Sequence, residues 1–555
     1  MTTPTDLRDR PRPPSRRWWA LDPGGAALGL FAAMLAMTPS LLPRSAMFQG
    51  VVAAVAFAVG YLLGAIVWAV LRRLLPVRIG PAVRRGLWIG YGVAWLAAAG
   101  VLSVLATGWQ DEVRRMVEMA PLDGADLAGF AVGFLPLTVL LIAIGRGVRR
   151  MHRALRGRIG APVAVLLSAS VVLAGVAALT LVVSVGMDRI YLDRNAHPSA
   201  DLVEPSSAHR SAGSGSAIRW QDVGRHGGAF LAGGPDAAEI AALTGHPAKE
   251  PIRVYAGLES APTVHERAAL AVRELERTGA FDRSVLVVAT TTGSGWLEPQ
   301  AMDSVEYLHG GDTAIVALQY AYTPSWVSFV FDPDAPVEAA RVLFDAVEAH
   351  WKQLPADHRP RLVVYGLSLG AHGGQAVFSD VGQLRARTDG ALFVGSPAGS
   401  ELWQALQSAR DDGSPAWQPV LDGGREVRWI SREGDQNLLP GPWEQPRVLY
   451  LQHATDAVTW LAPDLIWRAP EWLEPGQRGP DVSPQMRWIP VVTAVQVTID
   501  MLGGEAVPAR HGHNFGDVMT TGWREVTGDG GLDDQAVARI AAKIATYAPI
   551  QPVEP

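Results

Sequence analysis

Apolar residues follow two different patterns along this chain of 555 residues. In the first third they form five long segments with no charged residue in their central parts. Each segment is about as long as a helix that crosses a bilayer of roughly 30 Å hydrocarbon thickness. The segments lie near residues 24–43, 47–71, 86–108, 126–145 and 161–187. The pattern predicts an all-α transmembrane bundle of about five spans over residues 23–187.

The second pattern begins near Pro251, where short apolar runs alternate with segments of helical periodicity. Strand-like runs such as SVLVVATT and RLVVYGLS are bounded by turn residues, and helix-like segments such as PVEAARVLFDAVEAHWKQL lie between them. Alternation of this kind is typical of a mostly parallel sheet with helices on both faces. We predict a folded α/β domain over residues 219–555.

Between these regions, residues 188–218 are rich in Ser, Gly, Pro and charged residues. Such a composition buries little apolar surface, so we expect a flexible juxtamembrane linker. Arginines flank the apolar segments unevenly. They are dense in the N-terminal tail, in the second-to-third connection and from Arg146 to Arg158, and sparse in the other two connections. The positive-inside rule then predicts a cytoplasmic basic tail over residues 1–22 and an extracytoplasmic region after Met187.

Charge divides the chain in the same way. Residues 1–187 hold 19 Arg, no Lys and 8 acids, a net of +11, whereas the remainder has a net of −17. An acidic C-terminal domain argues against nucleic acid as its partner, because like charges repel. The absence of cysteine excludes disulfides, thiolate nucleophiles and Cys-ligated zinc. With no His-Glu-x-x-His or EF-hand motif either, we expect no metal and no cofactor.

The chemistry centres on the segment Arg361 to Gln375, RLVVYGLSLGAHGGQ. An apolar strand runs into Gly366-Leu367-Ser368-Leu369-Gly370 and then into a segment able to begin a helix. This is the pattern of a nucleophile elbow, in which a serine sits on a strained strand-to-helix turn that only flanking glycines can accommodate. Ser368 is therefore the candidate nucleophile.

A catalytic serine needs a histidine to accept its proton and a carboxylate to orient that histidine, and in α/β-hydrolases the chain order is Ser, Asp, His. Asp456 lies in a polar turn after a strand-like run and is the first candidate for the acid, with Asp435 as the alternative. The loop VPARHGHNFG supplies His513 as the preferred histidine and His511 as the alternative.

Two further sets of residues are expected around the serine. The backbone amide of Leu369, with Thr292 or Gly293 from the loop after an earlier strand, is predicted to form the oxyanion hole. The aromatic run QYAYTPSWVSFVF follows a strand near the catalytic edge of the sheet. Its Tyr320, Tyr322 and Trp326 are candidates for the substrate pocket, although such aromatic density is equally typical of a core or of a membrane-facing surface.

With these segments in view, the chain resembles the actinobacterial membrane-anchored α/β-hydrolase family, whose members join an N-terminal multi-span domain to a C-terminal serine hydrolase domain. The resemblance rests on segments that include GGAFLAGGPD, TTTGSGW, YGLSLGAHGG and RVLYLQHATDAVTWLAPDL. It implies the hydrolase fold and a plasma-membrane location, and supports Ser368, Asp456 and a histidine of the HGH segment. Arg510 and Ala457 differ from the residues usual in the family, without removing a catalytic atom.

The expected function is that of a membrane-anchored serine hydrolase, esterase-like or lipase-like, acting on a lipid or cell-envelope acyl ester. An extracytoplasmic acyltransferase using the same acyl-enzyme is the first alternative, since water or an alcohol can accept the acyl group. A non-catalytic protein for lipid binding or transport is the second. The presence of Ser368 and both histidines, and the absence of charged residues within the spans, favour the enzyme.

Overall fold

The computed structural model describes residues 21–74, 80–439 and 441–547, and these divide into two units. The first unit, here the helical unit, comprises residues 21–38, Arg44–Asp111 and Leu122–Ser168. The second, here the sheet unit, comprises Pro39–Pro43, Glu112–Pro121 and the chain from Ala169 onward. The basic tail expected over residues 1–22 falls almost entirely outside the described residues.

Five helices form the first part of the chain, and their bounds are α1 Pro23–Met37, α2 Ala46–Leu74, α3 Pro81–Met116, α4 Gly124–Ile159 and α5 Ala161–Asn195. Within the described residues, four segments are long and apolar enough to cross a membrane: Ala46–Leu74, Arg85–Met116, Gly124–Ile159 and Ala161–Asn195. These findings suggest a membrane-spanning region.

The first segment expected to span the membrane forms a shorter helix than predicted. Helix α1 has only 15 residues, about 22 Å at 1.5 Å per residue, and so falls short of a hydrocarbon core of roughly 30 Å. It ends before Pro39, because a proline lacks the amide hydrogen that would extend the helix. Pro43 follows a few residues later. The prediction of about five spans is thus corrected to four helices of sufficient length.

Two other expectations from the first part of the chain are also modified. The arginines from Arg146 to Arg158 lie on the last turns of α4 and not in a loop, and only Gly160 separates α4 from α5. Helix α5 continues to Asn195, so the segment 188–218 begins as helix. It then packs on the sheet unit: Ser211 is fully buried, and the Ala217 amide donates to Glu274 at 2.9 Å. Polar pairs and the burial of Ala212 and Ile218 in the hydrophobic core together order this segment.

The sheet unit contains seven strands, all parallel, in the order β1-β3-β2-β4-β5-β7-β6. Their bounds are β1 Ile252–Ala256, β2 Val285–Thr290, β3 Thr313–Leu318, β4 Arg361–Leu367, β5 Gly390–Val394, β6 Val427–Ile430 and β7 Arg447–Leu451. Almost every strand residue is buried, because helices cover both faces of a parallel sheet. The predicted α/β-hydrolase class, a mostly parallel sheet after an N-terminal helical region, is confirmed.

The helices of this unit include one that the sequence pattern did not predict, α9, which connects β2 to β3. The helices are α6 Gly224–Ala232, α7 Ala237–Thr244, α8 Val264–Thr278, α9 Pro299–Leu308, α10 Ser325–Phe331, α11 Ala335–Trp351, α12 Leu369–Gln375, α13 Val381–Arg387, α14 Glu401–Ser408, α15 Ala457–Trp460, α16 Val492–Met501, α17 Met519–Thr527 and α18 Asp534–Ile544. Every residue of α9 after Pro299 is buried, and its Asp303 and Glu306 pair with the buried Arg253 at 2.6 Å.

Strand register aligns the carboxyl ends of the central strands. Thr290 of β2 pairs with Gly366 of β4, and Leu367 of β4 pairs with Val394 of β5. Val394 in turn pairs with Leu451 of β7. The segments that follow these strands therefore leave the sheet at one edge, where parallel α/β folds bind their ligands.

Candidate active site

Ser368 lies between β4 and α12 with φ 55° and ψ −122°, a conformation that residues other than glycine rarely adopt. Its amide donates to the Val394 carbonyl at 2.8 Å, which fixes the turn. The flanking glycines permit the turn by close backbone approach: a β-carbon on Gly366 would lie 2.2 Å from the Gly370 carbonyl oxygen, and one on Gly370 would lie 2.2 Å from that of Thr290. This is the geometry of a nucleophile elbow.

His513 and Asp456 lie together at the same edge of the sheet. His513 Nδ1 is 2.8 Å from Asp456 Oδ2, and both side chains are buried. The second carboxylate oxygen of Asp456 accepts from the Val458 amide at 2.9 Å as the N-cap of α15. Because this amide fixes the carboxylate, Asp456 can orient the imidazole and leave Nε2 as the proton-accepting atom.

The other ring nitrogen, His513 Nε2, is buried and has no hydrogen-bond partner among the described residues. It lines the same pocket as Ser368. A Ser368–His513 hydrogen bond is thus not formed in this structure; catalytic hydrogen bonds are often long before substrate binds and tighten in the complex.

The alternative residues make other contacts. His511 Nδ1 pairs with Asp481 Oδ2 at 3.0 Å. Asp435 accepts from the backbone amides of Ser431 and Arg432 at 2.9 and 3.1 Å, closing the turn after β6. The structure therefore brings His513 to Asp456, and places His511 and Asp435 in separate hydrogen-bond groups.

The loop that carries His513 is held from several sides. Gly512 has φ 54°, its amide donates to Thr455 Oγ1 at 2.9 Å, and its carbonyl lies 2.9 Å from His453 Nδ1. The His453 ring stacks on Phe515 with centroids 4.0 Å apart. No sequence pattern points to His453, because nothing in β7, the strand that it follows, indicates that the His453 side chain faces this loop.

The pKa of His513 is shifted by opposing effects. Burial lowers it, but the charge and hydrogen bond of Asp456, together with Glu505 and Glu298, outweigh burial and raise the pKa above its ordinary value. Burial is also the main effect on Glu505, whose pKa it raises; attraction to His513 acts in the opposite direction. These two groups stabilise each other's charged forms.

The pocket in front of Ser368 has a volume of about 180 Å³. Its walls are mainly apolar, and Glu505 and His226 are the titratable residues that line it besides His513. Burial lowers the pKa of His226 to about 4. Sequence reasoning missed Glu505 and His226 because neither belongs to a local motif. The apolar wall is formed by Trp296, Trp326, Phe329, Val458, Met501 and Leu502.

Of the aromatic residues expected here, Trp326 lines the pocket, whereas Tyr320 and Tyr322 are not among its lining residues. The Tyr322 hydroxyl donates to Glu259 at 2.5 Å instead. The aromatic run is split between a loop and a helix, because β3 ends at Leu318 and α10 begins at Ser325. The residues of the run that line the pocket of Ser368 are Pro324, Ser325, Trp326 and Phe329.

The residues expected to bind an oxyanion lie around the elbow. Leu369 is the first residue of α12, where backbone amides have no partner within the helix. The Thr292 amide donates to the Trp296 carbonyl at 3.0 Å, so it is already engaged. Gly293, with φ 47°, is the remaining candidate of that loop, but it is not among the residues that line the pocket. Within the described ranges, no group of three or more His, Asp or Glu side chains is arranged to hold a metal ion.

Comparison with known families agrees with this fold. A family model described as the Alpha/beta-hydrolase family matches residues 252–540. A second, described as the N-terminus of the Alpha/beta-hydrolase family, matches residues 37–235. No curated protein is significantly similar to this chain. Since the first match alone covers more than half of the sequence, the chain belongs to the Alpha/beta-hydrolase family.

Proposed function

We propose that this protein is a serine hydrolase that cleaves a carboxylic ester with Ser368 as nucleophile, His513 as general base and Asp456 as the orienting acid. The observation that carries the proposal is the 2.8 Å pair between Asp456 and His513, whose free Nε2 lines the same pocket as the strained Ser368. Chance rarely places three such groups in the required chain order at one sheet edge.

In the proposed reaction, His513 Nε2 takes the proton of Ser368 Oγ while that oxygen bonds to the ester carbonyl carbon. The carbonyl π electrons move to oxygen, and the Leu369 and Gly293 amides hold the resulting oxyanion. When the intermediate collapses, the C–O bond to the alcohol breaks and the alcohol leaves with the proton from His513. Water then attacks the acyl-enzyme by the same steps, releasing the acid and free Ser368.

The pocket limits the acyl group. At about 180 Å³ it is smaller than the roughly 300–1,000 Å³ typical of sites for drug-sized ligands. Its apolar wall favours a hydrocarbon chain, and its volume favours a short one. We infer that the enzyme prefers esters with acyl groups of a few carbons, including such groups attached to lipid or cell-envelope molecules.

The first test uses the purified full-length protein and a fluorophosphonate, which reacts with activated serines. Wild type should be labelled, and Ser368→Ala and His513→Ala should each lose at least about 99% of the labelling rate, as expected when members of one catalytic unit are removed. Ser408→Ala is the control, because Ser408 is an exposed serine at the end of α14. Unlabelled wild type would contradict the proposal.

A second test addresses the substrate with p-nitrophenyl esters of increasing chain length. Turnover should fall once the acyl chain exceeds the pocket, and Trp326→Ala should shift the preference to longer chains. Leu438→Ala, a change of an exposed side chain, serves as the control. A preference that stays the same in Trp326→Ala would remove Trp326 from the acyl pocket.

A further inference from the structure

The helical unit contains a cavity of about 660 Å³ between α1, α2, α3 and α4. On α4 the lining residues run from Asp126 to Arg146, a length of about 30 Å at 1.5 Å per residue. This matches the thickness of a bilayer's hydrocarbon core. The cavity is therefore long and narrow, with the dimensions of an extended hydrocarbon chain.

The cavity does not arise from loose packing throughout the unit. Helices α1 and α2 meet closely, since a β-carbon on Gly64 would lie 2.2 Å from the Gly24 carbonyl oxygen. Helices α2 and α4 meet in the same way, since one on Gly133 would lie 2.1 Å from the Met47 carbonyl oxygen. By contrast, the α3 residues Gly92 and Gly100 have no neighbour within 4 Å of such an atom. The open space thus lies between α3 and a tightly packed group of three helices.

Alanines on several helices keep this space open, and aromatic rings shape its wall. Ala33, Ala53 and Phe57 form a small buried cluster, and all three line the cavity. Ala106 of α3 is also buried and lines it. Protein interiors are ordinarily packed with few voids larger than a water molecule. An empty space of this size would deprive the surrounding side chains of packing contacts.

One end of the cavity carries most of its polar lining residues, whereas Arg146 lies at the other end. Arg44 donates to Gln49 at 2.9 Å, and Gln49 donates to the Ala36 carbonyl at 2.8 Å. Gln110 lies at the same end of the helices, is only 6% exposed and lines the cavity. Its carboxamide forms no hydrogen bond with any side chain or backbone group in the described ranges. Because Gln110 lines the cavity, its carboxamide can bond to a polar group of a ligand there.

The chemistry of this end restricts the ligand. Arg44 and Asp126 both line it, so positive and negative charge are both present and a strongly charged head group gains no clear advantage. A carboxamide such as Gln110 can both donate and accept a hydrogen bond. An uncharged ester or hydroxyl group satisfies it, while the remainder of the cavity takes an alkyl chain.

We propose that the helical unit binds one long-chain lipid with an uncharged polar group, such as a monoacylglycerol. Its chain lies along α3 and α4, and its ester or hydroxyl group bonds to Gln110. This binding site goes beyond the proposed hydrolase function and does not depend on Ser368.

The test uses the full-length protein in phosphatidylcholine nanodiscs and a monoacylglycerol that carries a photoactivatable diazirine in its chain. After irradiation, peptide mapping should place the crosslinks on cavity residues such as Met34, Leu102 and Phe134, and excess unlabelled monoacylglycerol should compete. Ala106→Trp, which fills the cavity, should reduce crosslinking at least tenfold. Ala98→Trp, at an exposed position of the same helix, is the matched control and should not.

Two further variants make the outcome decisive. Gln110→Leu, similar in size, should weaken competition about tenfold, the expected effect of removing one buried hydrogen bond; unchanged affinity would overturn the polar part of the proposal. Ser368→Ala should crosslink like wild type, which separates this site from the proposed catalysis. Crosslinks confined to exposed residues such as Leu96 and Val104, without competition, would show bulk lipid only and would overturn the site. Should Ala106→Trp fail to fold, Ala99→Leu provides the same test with a smaller change.

Discussion

Gly370 shows how one residue without a side chain determines the position of Ser368, the proposed nucleophile. It is buried in the first turn of α12, and an added β-carbon would lie 2.2 Å from the Thr290 carbonyl oxygen, which belongs to the backbone of β2. Neither partner can move without displacing a central strand or the helix after Ser368. A displacement of this helix would also carry the Leu369 amide, the proposed oxyanion donor, away from the pocket.

Gly370→Ala is therefore expected to lower esterase activity at least a hundredfold and to lower the melting temperature. Gly374→Ala is the matched control on the same helix, because its β-carbon would meet its nearest atoms at 3.4–3.5 Å, an ordinary contact distance. Activity and thermal unfolding of the two variants are measured in parallel. Equal activity of both would show that the elbow tolerates a side chain at Gly370.

The position of Glu505 beside His513 leads to a prediction about how activity depends on pH. In the proposed mechanism His513 acts as the base when it is neutral. Its pKa is raised, so activity should fall as the pH drops through a value above the ordinary histidine pKa of about 6.5. Glu505→Gln removes one of the negative charges that stabilise the imidazolium. The pKa of His513 should then decrease, and the acidic limb of kcat/KM should move to lower pH.

Glu433→Gln, at an exposed position, is the control for this pH profile. A limb that moves equally in both variants would reflect general charge and not the pocket. A limb that stays unchanged in Glu505→Gln would show that Asp456 alone determines the protonation of His513.

At the scale of elements, two short segments from the first part of the chain are integral to the sheet unit. In Pro39–Pro43, the Leu41 and Leu42 amides donate to Asp500 Oδ2 at 3.0 and 3.4 Å. Leu42 is 2% exposed, and its Cδ1 would be 3.1 Å from a β-carbon on Gly512. The segment therefore packs directly against the loop that carries His513.

Leu42→Ala should thus affect both stability and catalysis. A buried Leu→Ala change typically costs about 2–5 kcal/mol, and here the vacated space lies next to the loop of His513, the proposed general base. We expect a lower melting temperature and at least a tenfold loss in kcat, with Leu438→Ala, an exposed leucine, as the control. Normal kcat in a destabilised variant would limit Leu42 to a structural role.

For the whole molecule, the arginine distribution makes a prediction about orientation. Arginines at the end of α2 and along the last turns of α4 are expected to face the cytoplasm. The sheet unit after α5 is then expected outside, whether or not α1 crosses the bilayer. The native chain lacks cysteine, so a single introduced cysteine reports its own side of the membrane.

The measurement compares Ser408→Cys in the sheet unit with Ala154→Cys near the arginines of α4, both at exposed positions. A membrane-impermeant maleimide should label Ser408→Cys in intact cells and Ala154→Cys only after permeabilisation. The cysteine-free parent controls for background. The opposite result would invert the proposed orientation.

The sequence by itself determined the features that depend on local chemistry. The glycines around Ser368 predict the elbow, because a strand-to-helix turn this tight leaves no room for side chains on both sides of the serine. The short apolar runs predict the parallel sheet, because both faces of such a sheet are buried. Long charge-free segments indicate the membrane-spanning region for a similar reason, since the solvent around a helix dictates its composition.

Only the tertiary structure decided what depends on contacts distant in sequence. It paired Asp456 with His513 across 57 positions and His511 with Asp481, brought Glu505 into the pocket, and placed Pro39–Pro43 against the His513 loop. It also ended α1 too early to span and left a cavity beside α3. None of these carries a local signature, because strand register, packing and the route of the connecting segments set the distance between two side chains.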